Sequence, residues 1–95
     1  MPVTRINEFH AAPGREAALR AFLDRVIALV SAAPGCESCE LLVDPTDASR
    51  FLILEAWTDI AAHQAAASQV PPDMYAAFKE LIAEPPRGRY YASPA

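Results

Sequence analysis

The segment Phe51-Leu52-Ile53-Leu54-Glu55-Ala56-Trp57 constrains this chain more than any other, because it is apolar at both odd and even positions. Successive side chains of a strand point to opposite faces, so a strand of this kind needs both faces of its sheet covered. Helices of the same chain can cover one. The other would stand open as a contiguous apolar patch, for which a second copy of the same sheet is the expected lid.

The remaining periodicities supply the rest of the sheet and its helices. Val3 to His10 predicts a first strand, and Ala11-Ala12-Pro13-Gly14 a turn out of it. From Arg15 to Ala33, the residues Leu19, Phe22, Leu23, Val26, Ile27 and Val30 form one stripe at helical spacing, with Arg15, Arg20, Asp24 and Arg25 largely off it. Pro34-Gly35 stops that helix. Cys36 to Val43 and Arg50 to Trp57 then predict an antiparallel hairpin across the turn-forming run 44–49. Asp59 is placed to cap a second helix from Ile60 to Ser68, which Pro71-Pro72 ends. A third helix is expected over Asp73 to Ala83, with Met74, Phe78, Leu81 and Ile82 on one side, followed by a short strand from Gly88 to Ala92. This order, β-α-β-β-α-α-β, is that of an α+β fold with ferredoxin-like, split β-α-β topology: a four-stranded antiparallel sheet with helices on one face. Ninety-five residues make one domain, 1–95.

Charge narrows the function classes. A net charge of −4 and a pI near 5.0 leave no basic field for nucleic acid or an anionic lipid surface. No apolar run approaches the roughly 20 residues that span a bilayer, and the charges within MPVTRINEFH oppose a signal peptide, so the expected compartment is the cytoplasm. Cys36 and Cys39 spell C-x-x-C. Residues three apart on a regular strand face opposite ways, however, and no second pair completes a zinc shell, so two reduced thiols are expected and no metal.

The stretches Phe9-His10-Ala11-Ala12-Pro13-Gly14, Ala33 to Leu42, Asp44-Pro45 and Phe51 to Asp59 resemble, in order and separation, the antibiotic biosynthesis monooxygenase domain. The resemblance implies a homodimeric α+β barrel, in which two sheets pack face to face and each subunit holds a pocket between sheet and helices. Some members of that family oxidise phenolic or quinol-like aromatics with dioxygen and no metal or flavin. Others degrade haem, isomerise their ligands, or only bind small molecules, and fold alone does not choose among them.

On this resemblance, Trp57 matches a pocket-lining tryptophan of quinone-forming members, where an indole can stack on a flat substrate and donate its N–H; a core tryptophan at the strand–helix corner is the other reading. His63 matches a position held by a tyrosine in a quinone-forming relative. A histidine there can take a proton from a phenol, against the alternative of a solvated side chain on an alanine-rich helix. Asn7 keeps the separation from Gly14 that an asparagine of haem-degrading members has, and its carboxamide could hold dioxygen, water or a substrate oxygen, or a neighbouring strand. Phe9, Met74 and Phe78 are the expected pocket walls, whereas His10 sits near a strand end. Glu55 shares the parity of Ile53 and Trp57, so it is either a buried carboxyl with a raised pKa or the partner of Arg5, Arg50, Arg87 or Arg89.

Two departures count against parts of the family's chemistry. Ala66 stands where haem-degrading members have an aromatic, and their later histidine has no counterpart, so haem degradation is disfavoured. Ile53 stands where a quinone-forming relative has an asparagine. The expected activity is a cofactor-independent monooxygenase on a small aromatic; the alternatives are a dimeric binder of small hydrophobic molecules and a ligand-processing isomerase.

Overall fold

The computed structural model describes residues 1–94. Strand β1 (Val3–His10), helix α1 (Glu16–Ser31), strands β2 (Cys36–Asp44) and β3 (Asp47–Trp57), helices α2 (Ile60–Ala67) and α3 (Pro72–Lys79) and strand β4 (Arg87–Tyr91) follow in the predicted order. They build one four-stranded sheet, β2-β3-β1-β4, antiparallel at every pairing. This is the expected ferredoxin-like α+β architecture, with the two-faced strand inside the sheet.

One face of the sheet carries the core. Leu19, Phe22 and Leu23 from the predicted stripe of α1 pack with Phe51 and Ile53 of β3 and with Ala11, Met74 and Leu81. Each of the larger of these side chains contributes about 1.5–3 kcal/mol by leaving water. The opposite face carries Ile6, Leu42, Leu52, Leu54 and Tyr91. No helix lies over it, and Leu42 and Tyr91 remain 44% and 51% exposed.

The elements differ from expectation mainly where polar side chains act locally. β3 starts at Asp47, three residues early, because Asp44 Oδ1 accepts from both the backbone N–H and the hydroxyl of Thr46 at 2.8 Å and closes a tight turn. The third helix stops at Lys79 instead of Ala83. Beyond it the chain is drawn into extended pairing with the end of β1, Ala12 N–H to Leu81 O at 2.9 Å and Ala83 N–H to His10 O at 2.8 Å.

A bulge in β2 overturns the argument about the cysteines. Cys36 lies opposite Trp57, but Ser38 lies opposite Ala56, so Glu37 is an extra residue and the alternation slips by one. Cys39 therefore pairs with Glu55, and both thiols stand on the face of Glu55 and Trp57 instead of diverging. Both are free, and burial beside Glu55 pushes the Cys39 thiol up to about 12, which leaves it protonated and inert.

Gly35 joins α1 to this bulge at φ +87°, and a methyl group there would sit 2.6 Å from Ala62 Cβ on α2. Gly14 has a similar φ of +76° but nothing within 4 Å of such a group. The left-handed conformation alone costs an alanine about 1–2 kcal/mol. Urea denaturation of Gly14→Ala should therefore show that loss only, and Gly35→Ala a clearly larger one, because α2 must also move.

Candidate active site

Register across the sheet places the polar groups of the site. Tyr90, Arg5, Glu55 and Cys39 form one row, and Gly88, Asn7, Ile53 and Leu41 the next, all on the helix-covered face. Helix α2 closes the first row from above. Its start is set by Asp59, whose side chain accepts from Ala62 N–H at 2.8 Å. One turn in, His63 is delivered between Trp57 and Tyr90, with ring centroids 5.4 Å and 5.3 Å away in edge-to-face geometry.

Glu55 is 4% exposed and Trp57 completely buried. The Trp57 indole N–H donates to Glu55 Oε1 at 2.7 Å. Burial raises the Glu55 pKa above its ordinary 4.5, against the opposing pull of the Trp57 hydrogen bond and of the Arg5 charge. His63 Nε2 stands 4.0 Å from Glu55 Oε1, beyond hydrogen-bond length, while Nδ1 is hydrogen-bonded to the Tyr90 hydroxyl. Burial and the nearby Arg5 charge hold the His63 pKa below its ordinary 6.5, so the imidazole is neutral at pH 7. The Arg5 guanidinium lies over the Tyr90 ring, 4.5 Å from its centroid. Its buried Nε has no hydrogen-bond partner, and among the described residues no carboxylate comes within 4.0 Å of it.

These groups crowd one end of a cavity of about 260 Å³ between sheet and helices. The rest of its wall is apolar. Phe78 packs edge-on to Phe9 and stacks on Phe22, with centroids 5.7 Å and 5.5 Å apart, and Met74 and Val70 close the side towards α3. Every residue predicted for the site lines this cavity: Asn7, Phe9, Trp57, His63, Met74 and Phe78. His10 does not; it lies on the other face, 3.1 Å from Glu84. A larger hollow of about 700 Å³ opens on that face; His10 and Glu84, both on its wall, pair with each other. No group of three or more potential metal ligands occurs among the described residues, and none of the described helices is long and apolar enough to cross a membrane.

Three members of the site were not singled out from the sequence as site residues. Arg5 appeared only as one of four arginines that could pair with Glu55; it alone faces the cavity, since Arg87 and Arg89 lie on the opposite parity of β4. Tyr90 becomes visible only through the β1–β4 register. Gly88 sits opposite Asn7, and any side chain there would collide with both the Arg5 guanidinium and the Asn7 carboxamide. Its bareness is what lets those two side chains lie across β4.

An antiparallel sheet of four strands backed by three helices, with a small, mostly apolar cavity between the layers and polar groups at one end, defines a ferredoxin-like α+β protein. The model of the family described as antibiotic biosynthesis monooxygenase matches residues 2–80, and the chain belongs to that family. Solved structures agree. The chain is similar to Rv0793 from Mycobacterium tuberculosis (26% identity, TM-score 0.86, covering 100% of this chain and 97% of that one) and to PA3566 from Pseudomonas aeruginosa (26%, 0.84, 99% and 95%). SnoaB, a cofactor-independent oxygenase from Streptomyces nogalater, shares the fold at 22% identity and a TM-score of 0.84, covering 99% of this chain and 94% of that one. Among curated proteins none matches the sequence significantly.

Replacing Trp57 with phenylalanine removes the indole hydrogen bond to the buried Glu55 carboxyl, which costs about 1–3 kcal/mol when that carboxyl is charged. The Glu55 pKa then rises further, so the native state binds the proton more tightly than the unfolded chain, whose value stays near 4.5. The variant's deficit should be largest at alkaline pH and shrink as pH falls through the raised Glu55 pKa towards 4.5, as read by circular dichroism in urea at several pH values.

Proposed function

We propose that this protein is a cofactor-independent monooxygenase of small phenolic or quinol-like aromatics, with His63 as the base. The observation that carries this reading is a half-buried, neutral histidine held by Tyr90 at the polar end of a largely apolar cavity. In the tautomer that serves a base, Nδ1–H donates to the Tyr90 oxygen and Nε2 keeps its lone pair free. That nitrogen takes the proton of a phenol lying against Phe9, Met74 and Phe78. The electron-rich anion gives one electron to dioxygen, and the radical pair recombines to a peroxide at a ring carbon. Loss of water from that peroxide leaves a quinone, so one oxygen atom enters the product and the other leaves as water. Asn7 orients the oxygens. The Trp57 N–H is already held by Glu55, so Trp57 contributes by shaping the pocket floor and setting the Glu55 carboxyl. SnoaB, a cofactor-independent oxygenase of the same fold, and membership of the monooxygenase family support the reading.

His63→Ala should lower kcat about 10²–10⁴-fold with little change in ligand binding, the range expected for loss of a positioned base. Because the His63 pKa is depressed, the wild-type rate should stay level down to pH 6.5 and decline only below it, as the imidazole takes up its proton. Oxygen-electrode assays of metal-stripped protein on a panel of quinols and polyphenols test both. A protein that binds these compounds and consumes no oxygen is a binding module, the reading favoured by the committed indole N–H and by Ile53 in place of a polar residue. Conversion of substrate without oxygen uptake identifies an isomerase.

The same proposal includes a homodimer, with the face bearing Ile6, Leu52 and Leu54 closed by a second copy. Sedimentation at micromolar concentration should give twice the mass of one chain, 10.3 kDa; a lone subunit overturns this part.

A further inference from the structure

Among the described residues, the cavity wall holds one permanent cation with neither a hydrogen-bond nor an ion-pair partner. Arg5 projects from the centre of the sheet onto the cavity wall, its plane set by the Tyr90 ring and its room made by the bare Gly88. It makes no hydrogen bond and no salt bridge among the described residues, and its Nε is sealed from solvent with nothing to donate to. An unsatisfied buried donor on a permanently charged group is costly and calls for an explanation, and a guanidinium is well shaped to be completed by a bound anion. Glu55 does not complete it: that carboxyl spends its Oε1 on Trp57 and stays beyond ion-pair distance. Asn7 stands beside Arg5, both packed over Gly88, so the two offer a planar fork of N–H groups and a carboxamide at the same point of the wall.

We infer that Arg5, flanked by Asn7, is an anion-holding subsite, and that the ligands of this protein are planar hydroxylated aromatics bearing an acidic oxygen, of the hydroxyaryl carboxylate class. The inference rests on the aromatic-oxygenase reading for the ring, but not on turnover. A guanidinium fork matches a carboxylate in shape and charge, while the apolar remainder of about 260 Å³ takes the ring system. Among the cavity-lining groups that can carry charge, Arg5 and Glu55 face each other across β1 and β3, with His63 above them and Tyr75 on α3; Tyr90 stands behind, holding His63. An incoming carboxylate thus meets Arg5 on the side away from the Glu55–Trp57 bond.

The test compares two ligands with one skeleton, 1-hydroxy-2-naphthoate and its neutral amide, by calorimetry and by fluorescence of Trp57, the single tryptophan of the chain. Wild-type protein should bind the acid at least about tenfold more tightly than the amide, as a charge-assisted hydrogen bond implies. Arg5→Gln should abolish that preference while leaving amide affinity within about twofold, and Arg5→Lys should keep part of it. Circular dichroism confirms that both variants are folded. Equal affinity of wild type for acid and amide, an undiminished preference in Arg5→Gln, or binding of neither compound overturns the inference. A clear preference for the acid without oxygen uptake on any hydroxyaryl carboxylate supports the subsite and sinks the oxygenase reading instead.

Discussion

Glu55 places a carboxyl group where water cannot solvate it, and the arrangement of the site follows from how that cost is met. A buried carboxylate needs hydrogen bonds or a close counter-charge, or it takes up a proton. Here the Trp57 indole supplies the hydrogen bond from two residues along the same strand, and Arg5 supplies positive charge from the neighbouring strand without contact. The result is a carboxyl with a raised pKa and an arginine that is not neutralised. The same arginine bears on His63, which burial and Arg5 together keep uncharged. One unneutralised arginine on β1 thus acts on two titratable side chains, Glu55 on β3 and His63 on α2.

This interdependence explains why the fold was legible in the sequence and the site only partly so. Strand and helix periodicities depend on neighbours in sequence, and Leu19, Phe22 and Leu23 or Phe51 and Ile53 show the same faces in the structure that their spacing announces. Parity also put Asn7 and Phe9 on the pocket face and tied Glu55 to Trp57. The same rule reaches Arg5, two residues before Asn7, but charge alone did not distinguish it from Arg50, Arg87 and Arg89. Only the pairing of β1 with β4 shows that Arg87 and Arg89 face the other way. Tyr90 and Gly88 are set by that pairing too, between segments some eighty residues apart in the chain, which local pattern cannot encode.

Where local reasoning gave the wrong geometry, a single irregularity was responsible. Alternation along Cys36 to Asp44 predicts diverging thiols, and the extra residue at Glu37 brings them onto one face. Extended pairing of Leu81 to Ala83 with the end of β1 likewise cut short a helix whose apolar spacing would have carried it further. In both places backbone hydrogen bonding to a distant strand outweighed the side-chain pattern.

The slip at Glu37 also governs how the chain enters the sheet. Everything from Ser38 on is phased by its partners on β3, so unbroken alternation through Glu37, without the bulge, would leave Cys39 and Leu41 where they are and turn Cys36 to the back of the sheet. The elbow at Pro34-Gly35, and the end of α1 with it, would then have to approach from the wrong side. One unpaired peptide thus acts as a phase adjuster between a helix that must finish in front of the sheet and a strand whose outward residues are spoken for.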